Sequence, residues 1–167
     1  HVSLADPTCK NMNCIIKEAA KESSIEIHEN GVYVVIEGPQ FSSKIESEIY
    51  RTWGCNVIGM TNMPEAKLAR EAEICYSTIA MVTDYDCWHP SHDSVTVEMI
   101  LQQMAKNVVK AKKIIPNIAR QHRRSFENGN NCGCKNALDA AIVTPKEHWS
   151  SASIDRCLNV AGRVLKK

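Results

Sequence analysis

Three short apolar runs, each closed by a polar loop, constrain this chain more than any other feature. "VYVVIEG" (32–38) is β-branched and follows the turn pair Asn30-Gly31, so it reads as a buried strand. "CNVIGM" (55–60) and "YSTIAMVT" (76–83) have the same character. Gly38-Pro39 breaks the first run, and Ser43 then stands three residues before Glu46, the spacing of a capping box. Pro64 follows the second run, ahead of good helix formers. The third run ends at "TDYDCWHP", with Asp84 and Asp86 two residues apart. Thr96 is placed to cap a long helix with Glu98 in its first turn. Its apolar stripe is Val97, Ile100, Leu101, Met104, Val108, Ala111 and Ile115, and Pro116 is expected to end it. Strands alternating with helices predict an α/β domain with helices packed on a central sheet.

The remaining segments are helical or looped. "CKNMNCIIKEAAKESS" sets Met12, Ile15, Ile16 and Ala19 on one helix face. The composition turns polar after Arg124, giving an expected flexible loop over 125–135 and a helical tail over 136–167. In that tail, "NALDAAIVTP" is a short apolar helix candidate and "SSASIDRCLNVAGRVL" a final amphipathic helix. The chain has 167 residues, enough for one α/β domain over 1–167 or the C-terminal part of one. Three strands are few for so much helix, and the first residue is His1 rather than Met. Both suggest a piece of a longer fold.

Charge and composition narrow the classes. A net charge of +1 gives no basic footprint of a nucleic-acid binder, and "RQHRR" (120–124) reads as a solvated helix end. No apolar run approaches the ~20 residues of a membrane span. Cys9, Cys14, Cys55, Cys75 and Cys87 lie in or beside apolar segments, as small buried hydrophobes of a reducing compartment. Cys132 and Cys134 form a Cys-x-Cys in a Gly/Asn-rich loop; zinc, a redox or disulfide role and an inert loop all stay open. Against zinc, one such pair lacks the second pair that a structural site needs. No histidine shows metal-ligand spacing, and no Gly-rich phosphate loop or nucleophile elbow is present.

The polar loops "GPQFSS", "GMTNMPE" and "TDYDCW" each follow a strand end, where ligand pockets of α/β sheets form. Each has a plainer alternative. Phe41 and Met60 suit a core, Ser42 and Thr61 suit helix caps, and Asp84 to Asp86 suit a surface turn.

"IEGPQFSSKIESEIYRTWGCNVIGMTNMPEAKLAREAEICYSTIAMVTDYDCW" closely resembles the 5′-methylthioadenosine phosphorylases of the trimeric purine nucleoside phosphorylase superfamily. "HVSLADP" resembles a further family segment, and the tail, with "CGCKNALDAAIVT" and "AGRVL", is similar to bacterial and archaeal members. The resemblance implies a central mixed sheet flanked by helices. It implies phosphorolysis of 5′-methylthioadenosine, with inorganic phosphate as co-substrate, no cofactor and no metal. It further implies a cytoplasmic homotrimer without nucleic-acid or membrane partners. Adenine leaves as negative charge builds on the purine, and a buried acid of raised pKa relieves that charge at N7.

By the same resemblance Asp84 is the catalytic residue at N7 and Asp86 accepts from the 6-amino group. Phe41 faces the purine, Thr83 borders the base, and Met60 meets the ribose. Thr61 and Ser42 bind phosphate. Val97, Ile100 and Leu101 line the methylthio pocket, which His1 and Val143 of a neighbouring subunit close. Members acting on 6-oxopurines carry Asn in place of Asp84. Where the family has Arg, this chain has Gln40 and Lys44. The family's N-terminal half, with its Gly-rich phosphate loop, has no counterpart here, so the chain alone is expected to be inactive. A broader purine nucleoside phosphorylase and an inactive purine-binding fragment are the alternatives.

Overall fold

A computed structural model describes residues 1–90, 95–129 and 132–166; His92 lies outside the described residues. In chain order the elements are α1 (Lys10–Glu22), β1 (Tyr33–Val35), α2 (Lys44–Thr52), β2 (Val57–Gly59), α3 (Met63–Glu71), α4 (Val97–Glu127) and α5 (Ser151–Leu165). Short 3-10 turns occupy Gly133–Asn136 and Lys146–His148.

β1 and β2 pair in parallel, with Tyr33 opposite Val57 and Val35 opposite Gly59. Parallel neighbours need a crossover, and α2 supplies it. A Cβ at Gly59 would lie 2.0 Å from the Tyr33 hydroxyl oxygen, so a side chain there would displace the end of the Tyr33 ring. The first two expected strands therefore form, each trimmed to three residues.

The third does not. Among the described residues 76–83 has no regular secondary structure and joins no ladder. It is pinned at intervals instead. Cys9 N–H donates to Tyr76 O at 2.7 Å, and Asn107 Nδ2 donates to Val82 O at 2.9 Å. Ser77 Oγ donates to Asn13 Oδ1. β-branched, apolar sequence favours extension, but a ladder also needs a partner's backbone.

α4 also departs from expectation, for it runs through Pro116 to Glu127. Proline removes one intrahelical hydrogen bond and costs about 3 kcal/mol in a helix interior. Contacts to α1 hold the helix beyond it. Asn117 Nδ2 donates to Ser23 Oγ at 2.7 Å, Arg120 Nη2 meets Glu22 Oε2 at 2.6 Å, and Gln121 donates to Glu22 Oε1. The small core sits here, with Ala19, Ala20 and Ile114 buried and Ile25, Ile27 and Ile118 against them. The expected α4 stripe does not face this core. Val97, Leu101, Met104, Val108 and Ile115 are exposed, while Asn107 and Ile114 are buried.

Helix starts follow the sequence closely. Ser43 and Glu46 form the capping box of α2, Pro64 opens α3, and the Thr96 side chain accepts from Met99 N–H. "NALDAAIVTP" forms turns rather than a helix: Asp139 N–H donates to Asn136 O and Ala141 N–H to Leu138 O. α5 is moored by Arg163, which grips Glu73 through two nitrogens at 2.5 and 2.6 Å and reaches Asp139 at 2.7 Å. The expected loop over 125–135 takes in 130–131, outside the described residues, and its first three residues are helical. Cys9 is buried and Cys55, Cys75 and Cys87 half-buried, but Cys14 is exposed on α1. Among the described residues no helix is long and apolar enough to cross a membrane.

Ser23 is 1% exposed, donates to Ala19 O at 2.7 Å and accepts from Asn117. Ser23→Ala leaves the Asn117 amide without that acceptor. It is expected to lower unfolding free energy by about 1–3 kcal/mol, read from the urea midpoint.

Candidate active site

The loops after β1 and β2 leave the sheet at the same end, as parallel pairing requires. They meet at Gly38 and Met60. Gly38 has φ +76°, a left-handed backbone conformation that favours glycine, and a Cβ there would lie 2.7 Å from Met60 Sδ. The loop after the 76–83 segment joins them through α2. Ser47 Oγ donates to Asp86 Oδ2 at 2.5 Å, and Cys87 Sγ donates to Ser42 O at 3.5 Å. A third tie comes from Asn62, whose Oδ1 accepts from Tyr76 Oη at 2.9 Å and from Thr78 Oγ1. The three polar loops are therefore tied to one another, through the Gly38–Met60 contact, α2 and Asn62.

The aspartates differ in setting. Asp86 is half-buried and fixed by two donors, Ser47 Oγ and the Cys87 N–H at 2.8 Å. A carboxylate has about four acceptor sites, so capacity remains for a ligand. Asp84, expected to be buried, is instead exposed and accepts from Thr83 Oγ1 at 2.5 Å. Phe41 is 86% exposed, and Thr61 is also exposed. Met60 is half-buried at the Gly38 contact, and Ser42 Oγ is buried without a hydrogen-bond partner among the described residues. Val97, Ile100 and Leu101 form the start of α4, with Val97 and Leu101 exposed. His1 and the Val143 segment come together elsewhere: the His1 amine donates to Ala141 O at 2.8 Å, two residues before exposed Val143. A cavity of ≈ 380 Å³ there is lined by His1, Leu138, Ile142 and Val160.

Sequence reasoning missed Ser47, Asn62 and an aromatic group beside Asp86. Ser47 is 1% exposed on the inner face of α2, and its signal was a small polar residue where an amphipathic helix packs. Asn62 has φ +91°, which asparagine tolerates better than most residues. Tyr85 stacks on His89 at 4.2 Å between centroids, and the Arg51 guanidinium lies 3.7 Å over the Trp88 ring.

A second constellation lies on other elements. The sulfurs of Cys9, Cys75, Cys132 and Cys134 are all within 4.8 Å of one another. Cys9 caps α1, Cys75 precedes the 76–83 segment, and Cys132 and Cys134 flank the start of a 3-10 turn. The second pair that Cys132 and Cys134 lacked in sequence is thus supplied from a distance; Cys75 and Cys132 are 57 residues apart. Burial pushes the Cys75 and Cys134 thiols up, Cys134 to about 11. At Cys132 burial also opposes ionisation. Hydrogen bonds from Cys75, the Cys134 backbone and the Cys134 and Cys9 thiols outweigh it and bring the group down to about 7.

Residues 1–120 match the family model of the phosphorylase superfamily. The chain belongs to that superfamily. It is 46% identical over 168 residues to the S-methyl-5′-thioadenosine phosphorylase of Cereibacter sphaeroides, covering 99% of this chain and 57% of the relative. It is 50% identical to that of Geobacter sulfurreducens, over 87% of this chain and 50% of the relative. A crystal structure of a methylthioadenosine phosphorylase from an Antarctic soil metagenomic library matches with TM-score 0.86 and 40% identity. That match covers 96% of this chain and 56% of the other. The methylthioadenosine phosphorylase of Schistosoma mansoni in complex with adenine matches with TM-score 0.67 and 33% identity, over 83% and 52% of the two chains. The chain spans about half the length of the relatives it matches. The α/β nucleoside phosphorylase-like fold read from the sequence is borne out, with the described sheet reduced to two strands.

The Gly38–Met60 contact is open to test. Gly38→Ala meets both the backbone penalty and the clash, and is expected to cost about 1 kcal/mol or more. Gly54, at φ +79° with nothing within 4 Å of an added Cβ, meets only the first. Urea midpoints should therefore fall further for Gly38→Ala than for Gly54→Ala.

Proposed function

We propose that these residues carry the purine side of a 5′-methylthioadenosine phosphorylase, which releases adenine and 5-methylthioribose 1-phosphate with inorganic phosphate as co-substrate. The reading rests on relatives of that name at 46% and 50% identity, and on one observation above the others. Asp86 is held by two donors while its neighbour Asp84 is exposed, in a single loop at the strand ends. A fixed acceptor suits an exocyclic amino group. An acid free to meet the ligand suits proton sharing at N7, a step worth roughly 10²–10⁴-fold in rate. Phe41 is the aromatic face for the purine, Thr83 borders the base, and Met60 meets the ribose. Thr61 and Ser42 serve phosphate, and the partnerless Ser42 hydroxyl favours that role. Val97, Ile100 and Leu101 line the 5′ end, completed by His1 and Val143 of a neighbouring copy in a cytoplasmic homotrimer.

The proposal is for a longer enzyme that includes these residues. Phe41, Val97 and Leu101 are apolar side chains left in water, and a substrate site of this kind excludes water when complete. The rest of the phosphate clamp, beyond Thr61 and Ser42, belongs to the remainder of that enzyme, so the 167-residue chain alone is expected to release no adenine. Robust phosphate-dependent adenine release by the purified chain overturns that expectation.

A second reading has one observation in its favour. A Schistosoma mansoni relative, TM-score 0.68 and 32% identity, is named an adenosine/methylthioadenosine phosphorylase. Broader 6-aminopurine nucleoside use predicts comparable turnover of adenosine and methylthioadenosine.

Asp84→Asn in the complete enzyme is the decisive variant. Methylthioadenosine turnover is expected to fall by roughly 10²-fold or more, while the relative use of inosine improves. Unchanged rates with both nucleosides remove Asp84 from its role.

A further inference from the structure

We propose that Cys9, Cys75, Cys132 and Cys134 form a structural zinc site. Their four sulfurs come from three separate stretches of chain, yet all lie within 4.8 Å of one another. Tetrahedral zinc with Zn–S bonds near 2.3 Å sets its sulfurs about 3.8 Å apart. Cys75 and Cys132 stand at 3.2 Å and no pair exceeds 4.8 Å, so the required spacing falls inside the range the four already occupy. Loading zinc needs only small movements of side chains.

The surroundings fit a thiolate-bound metal. Cys9 and Cys134 are buried and Cys75 and Cys132 half-buried, which keeps a site closed but reachable. A cavity of ≈ 320 Å³ opens beside them, lined by Cys9, Cys132, Cys134, Lys10, Arg70 and Asp6 among others. It gives the ion a path in. Four thiols lose four protons to solvent as a zinc ion binds, leaving a centre of net double negative charge. Lys10 and Arg70 line the same cavity and offset that charge, although Asp6 also contacts both. Cys9 caps α1, and its sulfur accepts from Met12 N–H at 3.5 Å, a backbone donor of the kind that orients a ligand sulfur.

The site ties the turn after α4 to the start of α1 and to the segment that leads to Asp84. Cys75 is joined to that segment directly, and Cys9 N–H binds Tyr76 O at 2.7 Å. The metal's role is architectural, because four protein sulfurs leave no open position for substrate.

Two disulfides are the competing use of the same sulfurs. They require an oxidant, whereas zinc takes reduced thiols. The test is metal analysis of the protein prepared under reducing, anaerobic conditions with zinc supplied. One zinc per chain after exhaustive dialysis is expected, and the cobalt-exchanged protein should show thiolate-to-metal charge-transfer absorption. Cys75→Ser and Cys132→Ser should lose the bound zinc, while Cys14→Ser and Cys157→Ser, both at exposed cysteines outside the cluster, should keep it. If the cluster variants fail to fold, the unaltered protein still decides. A chelator should expose four cysteines to alkylation and lower the melting temperature. Folded protein that holds no zinc after this preparation overturns the proposal, whether its four cysteines are then free thiols or paired in disulfides. Full zinc retention in both cluster variants overturns it equally.

Discussion

Parallel pairing of β1 with β2 is the constraint on which the candidate site depends. Two parallel strands send their following loops to the same side of the sheet, and a crossover helix must return between them. Here that helix is α2, and it does more than connect. Its N-terminus is capped by Ser43 and Glu46 immediately after the first loop, and its buried Ser47 reaches Asp86 of the third loop. At Gly59 the Tyr33 hydroxyl occupies the space of a Cβ, so that ring packs over the ladder where glycine leaves room. The short parallel ladder thus brings Gly38 and Met60 together, while Asp86 is joined to the same region through Ser47 of α2.

Local rules were legible because their physics is local. The Ser43–Glu46 capping box, the Thr96 cap and Pro64 at the start of α3 all appear as the sequence implied, each within four residues of its partner. The failures came where distant groups decide. Pro116 stays inside α4 because Asn117, Arg120 and Gln121 are held by Ser23 and Glu22 on α1, more than ninety residues away. Residues 76–83 have strand composition without a ladder partner among the described residues. The Cys-x-Cys looked unpaired because its companions, Cys9 and Cys75, lie far off in sequence. Ser47 and Asn62 were invisible for the same reason: their importance lies in what reaches them across the fold.

The apolar stripe of α4 carries a related lesson. A run of Val97, Leu101, Met104, Val108 and Ile115 at helical spacing normally marks the core face. In this chain those side chains are exposed, and the helix buries Asn107 and Ile114 instead. Asn107 uses its burial well, donating to Val82 O and accepting from Gln103 Nε2 at 3.1 Å. The helix therefore has two faces suited to burial, one polar at its centre and occupied, one apolar and turned outward. The relatives are about twice as long, and a longer enzyme has chain available to cover that apolar face.

How Asp84 is held follows from these facts. A strand in a ladder is fixed by its backbone, and a substitution on one side chain seldom moves it. The 76–83 segment is fixed at points: Tyr76 by Cys9 and Asn62, Ser77 by Asn13, Thr78 by Asn62, and Val82 by Asn107. Most of those points are side chains, and they belong to α1, to the second loop and to α4. The cysteine cluster fastens the near end of the same segment to α1 and to the turn beyond α4. The position of the aspartate is therefore the sum of several weak ties rather than one strong one. Asn62 and Asn107 therefore bear on where Asp84 stands without touching it, through Tyr76, Thr78 and Val82.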